Sequence, residues 1–315
     1  MDIILNELSL RRLPAAPAQA DQLLDQWLRV VLQIRQQQRI TPAFRTAASL
    51  RDLAITENGE YVFSQWLSNL PREQRSLALL ATTKEPFIRD SYPEYRFRSA
   101  APADYYNAEC VGFAYAVEHY CLTWSLDAYA EWPDYRYQLA RVSMPEDEIL
   151  EENISAWHLP ATGLSAAHQP FLDAQLSAAE QQIVQQCRGG LDLLANWSSW
   201  FPTLDLTPIA EKSLPLVPTA SITAVIYRLL DLQRFFASWD GKPLNYKDEF
   251  ATKTTPETVD TQKAYPHLFL IDCPDGHVRS MNWHMRYTPG AGRLYFLPDE
   301  DQCRCLIGYV GLKLY

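Results

Sequence analysis

Apolar residues recur along this chain with two different periods. In 23-LLDQWLRVVLQI-34, Leu24, Trp27, Val31 and Ile34 fall three or four apart, which predicts a helix with one stripe turned to a core. The same spacing predicts helices in FSQWLSNL, in REQRSLALLAT with Pro71 suited to a first turn, and in LDLLANWSSWF. It recurs in SITAVIYRLLDLQRFFASW, where Ile222, Val225, Leu229, Leu232 and Phe236 form the stripe. In AECVGFAYAVEHYCLTWSL a helical stretch ends near His119, and alternation at Leu122, Trp124 and Leu126 begins a strand. MDIILNEL and YRYQLARVSM read as further strands, PTLDLTP as a loop, and the acidic run PEDEILEEN as a solvated connector. SAAEQQIVQQCRGG carries start and stop signals: Ser177 as cap, Glu180 completing a capping box, and Gly189 or Gly190 ending the helix.

Beyond Trp239 the pattern fades into DGKPLNYKDEFATKTTPETVDTQK, read as a connector in which residues 255–258 start one short helix capped by Thr254 or Thr255. Four β runs follow, HLFLID, VRSMNWHMRY, RLYFLP and CRCLIGYVG, separated by PDG, TPGAG and DEDQ, whose turn chemistry predicts antiparallel neighbours in a meander. The expected class is α+β: a mainly helical domain over 1–240, a connector over 241–262, and an antiparallel β unit over 263–315. Period-two alternation sorts the second run, with Arg279, Met281, Trp283 and Met285 on one face and Val278, Ser280, Asn282, His284 and Arg286 on the other. Pairing back across TPGAG would set Arg293 and Tyr295 beside Arg286 and His284.

Composition narrows the setting. With 315 residues, 47% hydrophobic and 21% charged, the chain can build a sizeable core. No window approaches the roughly 20 apolar residues of a membrane-spanning helix, and six scattered cysteines without a C-x-x-C pair fit a reducing compartment, so no membrane and a cytoplasmic location are expected. The net charge of -10 argues against a surface that tracks phosphate everywhere. From Lys263 onward, however, six Lys and Arg meet five Asp and Glu, so the acid lies in the rest of the chain. The P-loop, dinucleotide and nucleophile-elbow fingerprints are absent. Cys303 and Cys305, or His267, His277 and His284 with Asp272 and Asp275, have poor metal-ligand spacing, and neither a metal nor a cofactor enters the expectation.

What remains is the C-terminal polar face. A histidine or tyrosine to move protons and arginines to stabilise charge on a phosphate oxygen are the parts of metal-independent phosphoryl chemistry. A solvated sheet face has the same composition. The pattern DG-x3-S-x2-WHxRxTPGxGRxYF…IGYVGxKL, over about the last 45 residues, resembles the ending of a group of uncharacterised bacterial proteins of similar length, several associated with mobile or phage-defence gene islands. MDIILNELSL and TTPETVDTQ are similar to the same group. More weakly, RLYF…LIGYVGLK resembles the sheet of RelE/HigB-type ribonuclease toxins, which are much shorter and basic. That resemblance implies Arg286, Arg293 and His284 as the working residues, with Tyr295 and Lys313 secondary; the expected site is therefore His284, Arg286, Arg293 and Tyr295 as catalytic, with Lys313, Asn282 and Arg279 as nucleic-acid contacts. Two functions are therefore expected: an RNA- or DNA-processing or binding factor, or a non-catalytic subunit that meets a protein partner through some of its nine Trp and seventeen Tyr.

Overall fold

Contacts divide the chain into two units, Met1–Gln175 and Leu176–Tyr315. The computed structural model describes residues 1–38, 41–47, 49–82, 94–143, 149–243, 250, 254–273, 276–288 and 290–314. Parts of the expected acidic connector (145–148), of the 241–262 connector (244–249, 251–253) and of the turns (274, 275, 289) lie outside the described residues.

The first unit is a mixed six-stranded sheet with helices. In chain order it runs β1 (Asp2–Leu5), α1 (Pro17–Gln38), β2 (Ala43–Arg45), α2 (Phe63–Asn69), α3 (Arg72–Thr82) and β3 (Glu94–Phe97). It continues with α4 (Val111–Glu118), β4 (Leu122–Trp124), β5 (Arg136–Ser143), β6 (Leu150–Leu159) and the start of α5 (Gln169–Gln186). The sheet order is β2-β1-β4-β6-β5-β3, parallel through β6 and antiparallel beyond it. The predicted stripe of α1 is its buried face, where Trp27 meets Phe44, Phe63 and Trp66 edge-on. The acidic connector is corrected in its second half, because Leu150–Asn153 open β6 and pair with β5 while Glu151 and Glu152 stay exposed. The cap at Ser177 is corrected too. The helix already runs from Gln169, with Pro170 in its first turn, and stops at Gln186 before the glycines.

The second unit holds α6 (Gly190–Trp200), β7 (Leu204–Leu206), α7 (Pro208–Ser213), α8 (Thr219–Ser238), β8 (Thr254–Pro256), α9 (Val259–Ala264) and α10 (Pro266–Phe269). It ends in β9 (Leu270–Asp272), β10 (Val278–Ser280), β11 (Trp283–Arg286), β12 (Gly292–Asp299) and β13 (Arg304–Leu312). Its five-stranded sheet has the order β7-β13-β12-β11-β8, with β7 parallel to β13 and the other pairs antiparallel. The class is therefore α+β. The division of the chain differs from the boundary expected at residue 240, and the reason is apolar burial. Ile222, Val225, Leu229, Leu232 and Phe236 of α8 share one core with Met285, Leu294, Phe296, Ile307 and Val310 of the sheet. Each such side chain contributes about 1.5–3 kcal/mol by leaving water.

Three local readings change. PTLDLTP contains β7, a strand short enough that its alternation is hidden by flanking prolines. HLFLID is strand only in its last three residues. VRSMNWHMRY is two strands: β10 pairs with β9 in a separate ribbon, and β11 joins the main sheet. The break at Met281–Asn282 shifts the side-chain phase, so Met281 packs with Phe269, Ile271 and Tyr295, opposite the core that takes Trp283 and Met285.

Candidate functional site

The turn after β11 fixes the register that brings the basic residues together. His284 lies directly across from Tyr295, and Arg286 across from Arg293. On the far side of β12 the register shifts, so that Tyr295 pairs with Tyr309 while Phe296 pairs with Ile307, leaving Gly308 as the extra residue. A Cβ on Gly308 would sit 1.7 Å from Met281 Sδ, so Met281 as it is packed leaves room there for glycine alone. The bulge keeps Tyr309 on the Tyr295 face, with the rings 6.2 Å apart.

On that face two of the residues assigned to catalysis, His284 and Tyr295, meet a third side chain, Glu257. Pro256 ends the edge strand β8, where its missing N–H costs no ladder bond, and Thr258 caps α9 by accepting from the Thr261 N–H at 3.2 Å. The cap is thus Thr258, not Thr254 or Thr255, because those two residues pair with β11 as strand. Between strand and cap, the Glu257 N–H donates to Asn282 O at 2.7 Å and Gln262 Nε2 donates to Glu257 O at 2.8 Å. Glu257 is 6% exposed, and its Oε1 lies 3.1 Å from His284 Nδ1 and accepts from the Tyr295 hydroxyl at 3.2 Å. The imidazole sits off the hydrogen-bond line, so Nδ1 is buried without a hydrogen-bond partner among the described residues. His284 Nε2 faces Thr255 Oγ1 at 3.4 Å.

Charge decides the state of the imidazole. Burial pushes His284 below its ordinary value; Glu257 opposes this, and the positive charges of Arg293, Arg286 and Lys313 add to the lowering. His284 is therefore neutral at neutral pH. A lone pair on Nδ1 would face the carboxylate repulsively, so the favoured tautomer carries its proton on Nδ1 and leaves Nε2 to accept.

The candidates are not equally available. Arg286 is exposed and its carbonyl accepts from Arg228 Nε at 3.0 Å. Arg293 is 6% exposed, donates from Nη1 to the carbonyls of Gly290 and Gly292 at 3.0 and 2.9 Å, and keeps a buried Nε without a hydrogen-bond partner among the described residues. Tyr295 is fully buried. Lys313 is exposed at the end of β13, its N–H donating to Ala291 O at 2.7 Å. Asn282 sits at the strand break beside Glu257, and Arg279 leaves the group, since β10 belongs to the separate ribbon. Arg279 lines a cavity of about 850 Å³ with Trp197, Asp205, Asp299 and Arg304, where Arg304 forms a two-pronged ion pair with Asp205 at 2.6 and 2.7 Å. Among the described residues no three His, Cys, Asp or Glu side chains gather as a metal would require. Also among them, no helix is long and apolar enough to cross a membrane.

The first unit carries a second polar constellation, at the carboxyl ends of β1 and β4. Asn6 Nδ2 donates to Ser125 Oγ at 3.0 Å, Ser125 Oγ lies 2.9 Å from His158 Nε2, and His158 Nδ1 lies 2.9 Å from Asp134 O. The ring of His168 reaches the His158 carbonyl at 2.9 Å. Each ring nitrogen of His158 has a partner, and the adjoining space of about 10 Å³ holds no more than one water. Those contacts make it a brace in the core.

No protein-family model matches the chain, and searches of curated proteins and of solved structures returned no match.

Proposed function

We propose that the second unit handles the phosphate backbone of nucleic acid at the His284 edge of its sheet, as a metal-independent ribonuclease in a bacterial defence or toxin-like setting. His284 Nε2 takes the proton of an RNA 2′-hydroxyl, the 2′-oxygen bonds to phosphorus, and the 5′-oxygen leaves with a proton from water. Arg286, aided by Lys313 and Arg293, meets the negative charge that grows on the phosphate oxygens. One observation carries the reading: a neutral imidazole paired with a buried carboxylate lies within the field of three cations, opposite the matched register of Arg286 and Arg293. A cytoplasmic location is part of the proposal, supported by six cysteines that are all free thiols.

A second reading has its own support. The Tyr295 hydroxyl is engaged by Glu257 and Arg293 Nη1 by backbone carbonyls, so both side chains serve the fold. The cluster would then brace the sheet of a non-catalytic subunit, which meets a protein partner through exposed side chains such as Leu191, Leu216 and Tyr227. The experiment that separates the two is RNA degradation by purified protein, with His284→Ala and Arg286→Ala as comparisons. The ribonuclease reading expects His284→Ala to lose about 10²–10⁴-fold in rate. Equal activity in all three proteins, or none in the parent, removes it.

A further inference from the structure

We propose that Glu257 is the positioning residue of this centre, holding the tautomer and ring angle of His284, and that Tyr295 holds Glu257 rather than acting on substrate. The inference rests on the reading of His284 as proton acceptor. Its basis is a chain of contacts converging on one oxygen: Glu257 Oε1 receives the Tyr295 hydroxyl at 3.2 Å and faces His284 Nδ1 at 3.1 Å. The backbone on either side of that carboxylate is pinned, by Asn282 O through the Glu257 N–H and by the Gln262 amide on its carbonyl. Side-chain rotation is therefore the freedom left, and the Tyr295 hydroxyl restrains it.

A carboxylate 6% exposed is costly to bury without compensation, and its partners here include a hydroxyl and an imidazole, the pair that an orienting carboxylate needs. Tyr295 cannot itself reach a ligand from where it stands. It is fully buried, packed between Phe269 at 6.0 Å and Tyr309 at 6.2 Å between ring centres. His284 Nδ1 lies 3.1 Å from Glu257 Oε1 but off the hydrogen-bond line, within reach of a bond by rotation of the ring. The charged groups that act on the imidazole are Glu257, Arg293, Arg286 and Lys313, so removing Glu257 leaves three cations unopposed.

The test is a pH titration of nitrogen-15-labelled histidine by NMR in the parent protein, Glu257→Gln and Tyr295→Phe, with RNA cleavage measured across pH on the same samples. The parent should show His284 neutral with its proton on Nδ1. Glu257→Gln should lower its titration midpoint, scramble the tautomer and cut kcat by at least about tenfold with little change in KM. Glu257→Asp should recover part of the loss, and Tyr295→Phe, which keeps the ring packing, should give a smaller change in the same direction. An unchanged His284 tautomer and midpoint in Glu257→Gln overturns the proposal. The expected NMR response in a parent protein that cuts no RNA keeps the role of Glu257 and removes the ribonuclease reading instead.

Discussion

His158 makes the stability of the first unit depend on pH in a way that can be worked out. The side chain is fully buried, and burial pushes its pKa from 6.5 down to about 3, with the Asp134 carbonyl opposing the shift and His168 adding to it. The unfolded chain therefore takes up a proton below pH 6.5 that the folded chain refuses until about pH 3. Stability from this group is complete above the unfolded value and is lost as pH falls between the two. The slope is about 1.4 kcal/mol per pH unit, so the loss between pH 7 and pH 5 is about 2 kcal/mol. Burial of Glu7 raises its carboxyl, which works in the opposite direction, so the effect must be read as a difference. Urea unfolding of the parent and of His158→Gln at pH 7, 6 and 5 supplies it. The parent's advantage over the variant should shrink by about 2 kcal/mol across that range, because the variant has no proton to gain. A difference that stays constant with pH would refute the reasoning, since it would mean that the imidazole can charge in place.

Two further outcomes bear on the C-terminal sheet. Gly308→Ala, which drives a methyl against Met281 Sδ, should destabilise the second unit by about 1–3 kcal/mol in denaturant unfolding, and Met281→Ala in the same chain should recover part of that loss; an unaffected Gly308→Ala protein contradicts the close packing of Met281 on Gly308. Arg286→Ala and Lys313→Ala should each flatten the salt dependence of RNA oligonucleotide binding, followed by fluorescence anisotropy, by about 0.7 in log–log slope; slopes equal to the parent's would place neither cation on phosphate.

Long amphipathic stretches were legible because their period survives any tertiary setting. The stripes of α1 and α8 are buried as the spacing predicts. Short strands were not: β7 and the start of β6 have too few residues to display alternation, and Glu151 and Glu152 disguise a strand whose outer side chains are wet. In the site, the facing of His284 to Tyr295 and of Arg286 to Arg293 was legible from the TPGAG turn. The break at Met281–Asn282 was hidden, and it sends Arg279 into another ribbon and Met281 to the opposite face. Glu257 was overlooked because it lies 27 residues before His284 in a polar stretch without periodicity. The one available signal was Pro256 followed by Glu257 and Thr258, a strand end and a helix cap back to back. His158 and His168 sit ten residues apart, with nothing between them to suggest that the ring of one meets the carbonyl of the other.

The central claim is that His284 activates an RNA hydroxyl beside phosphate-holding cations. Its most direct measurement is single-turnover cleavage of an end-labelled RNA oligonucleotide and of the same oligonucleotide fully 2′-O-methylated, by the parent protein and by His284→Ala. The account predicts cleavage of the unmodified RNA by the parent, with 2′,3′-cyclic phosphate ends, the same cleavage slowed about 10²–10⁴-fold in His284→Ala, and no cleavage of the methylated strand by either protein. Cleavage of the methylated strand at the same rate, or by His284→Ala as fast as by the parent, contradicts it.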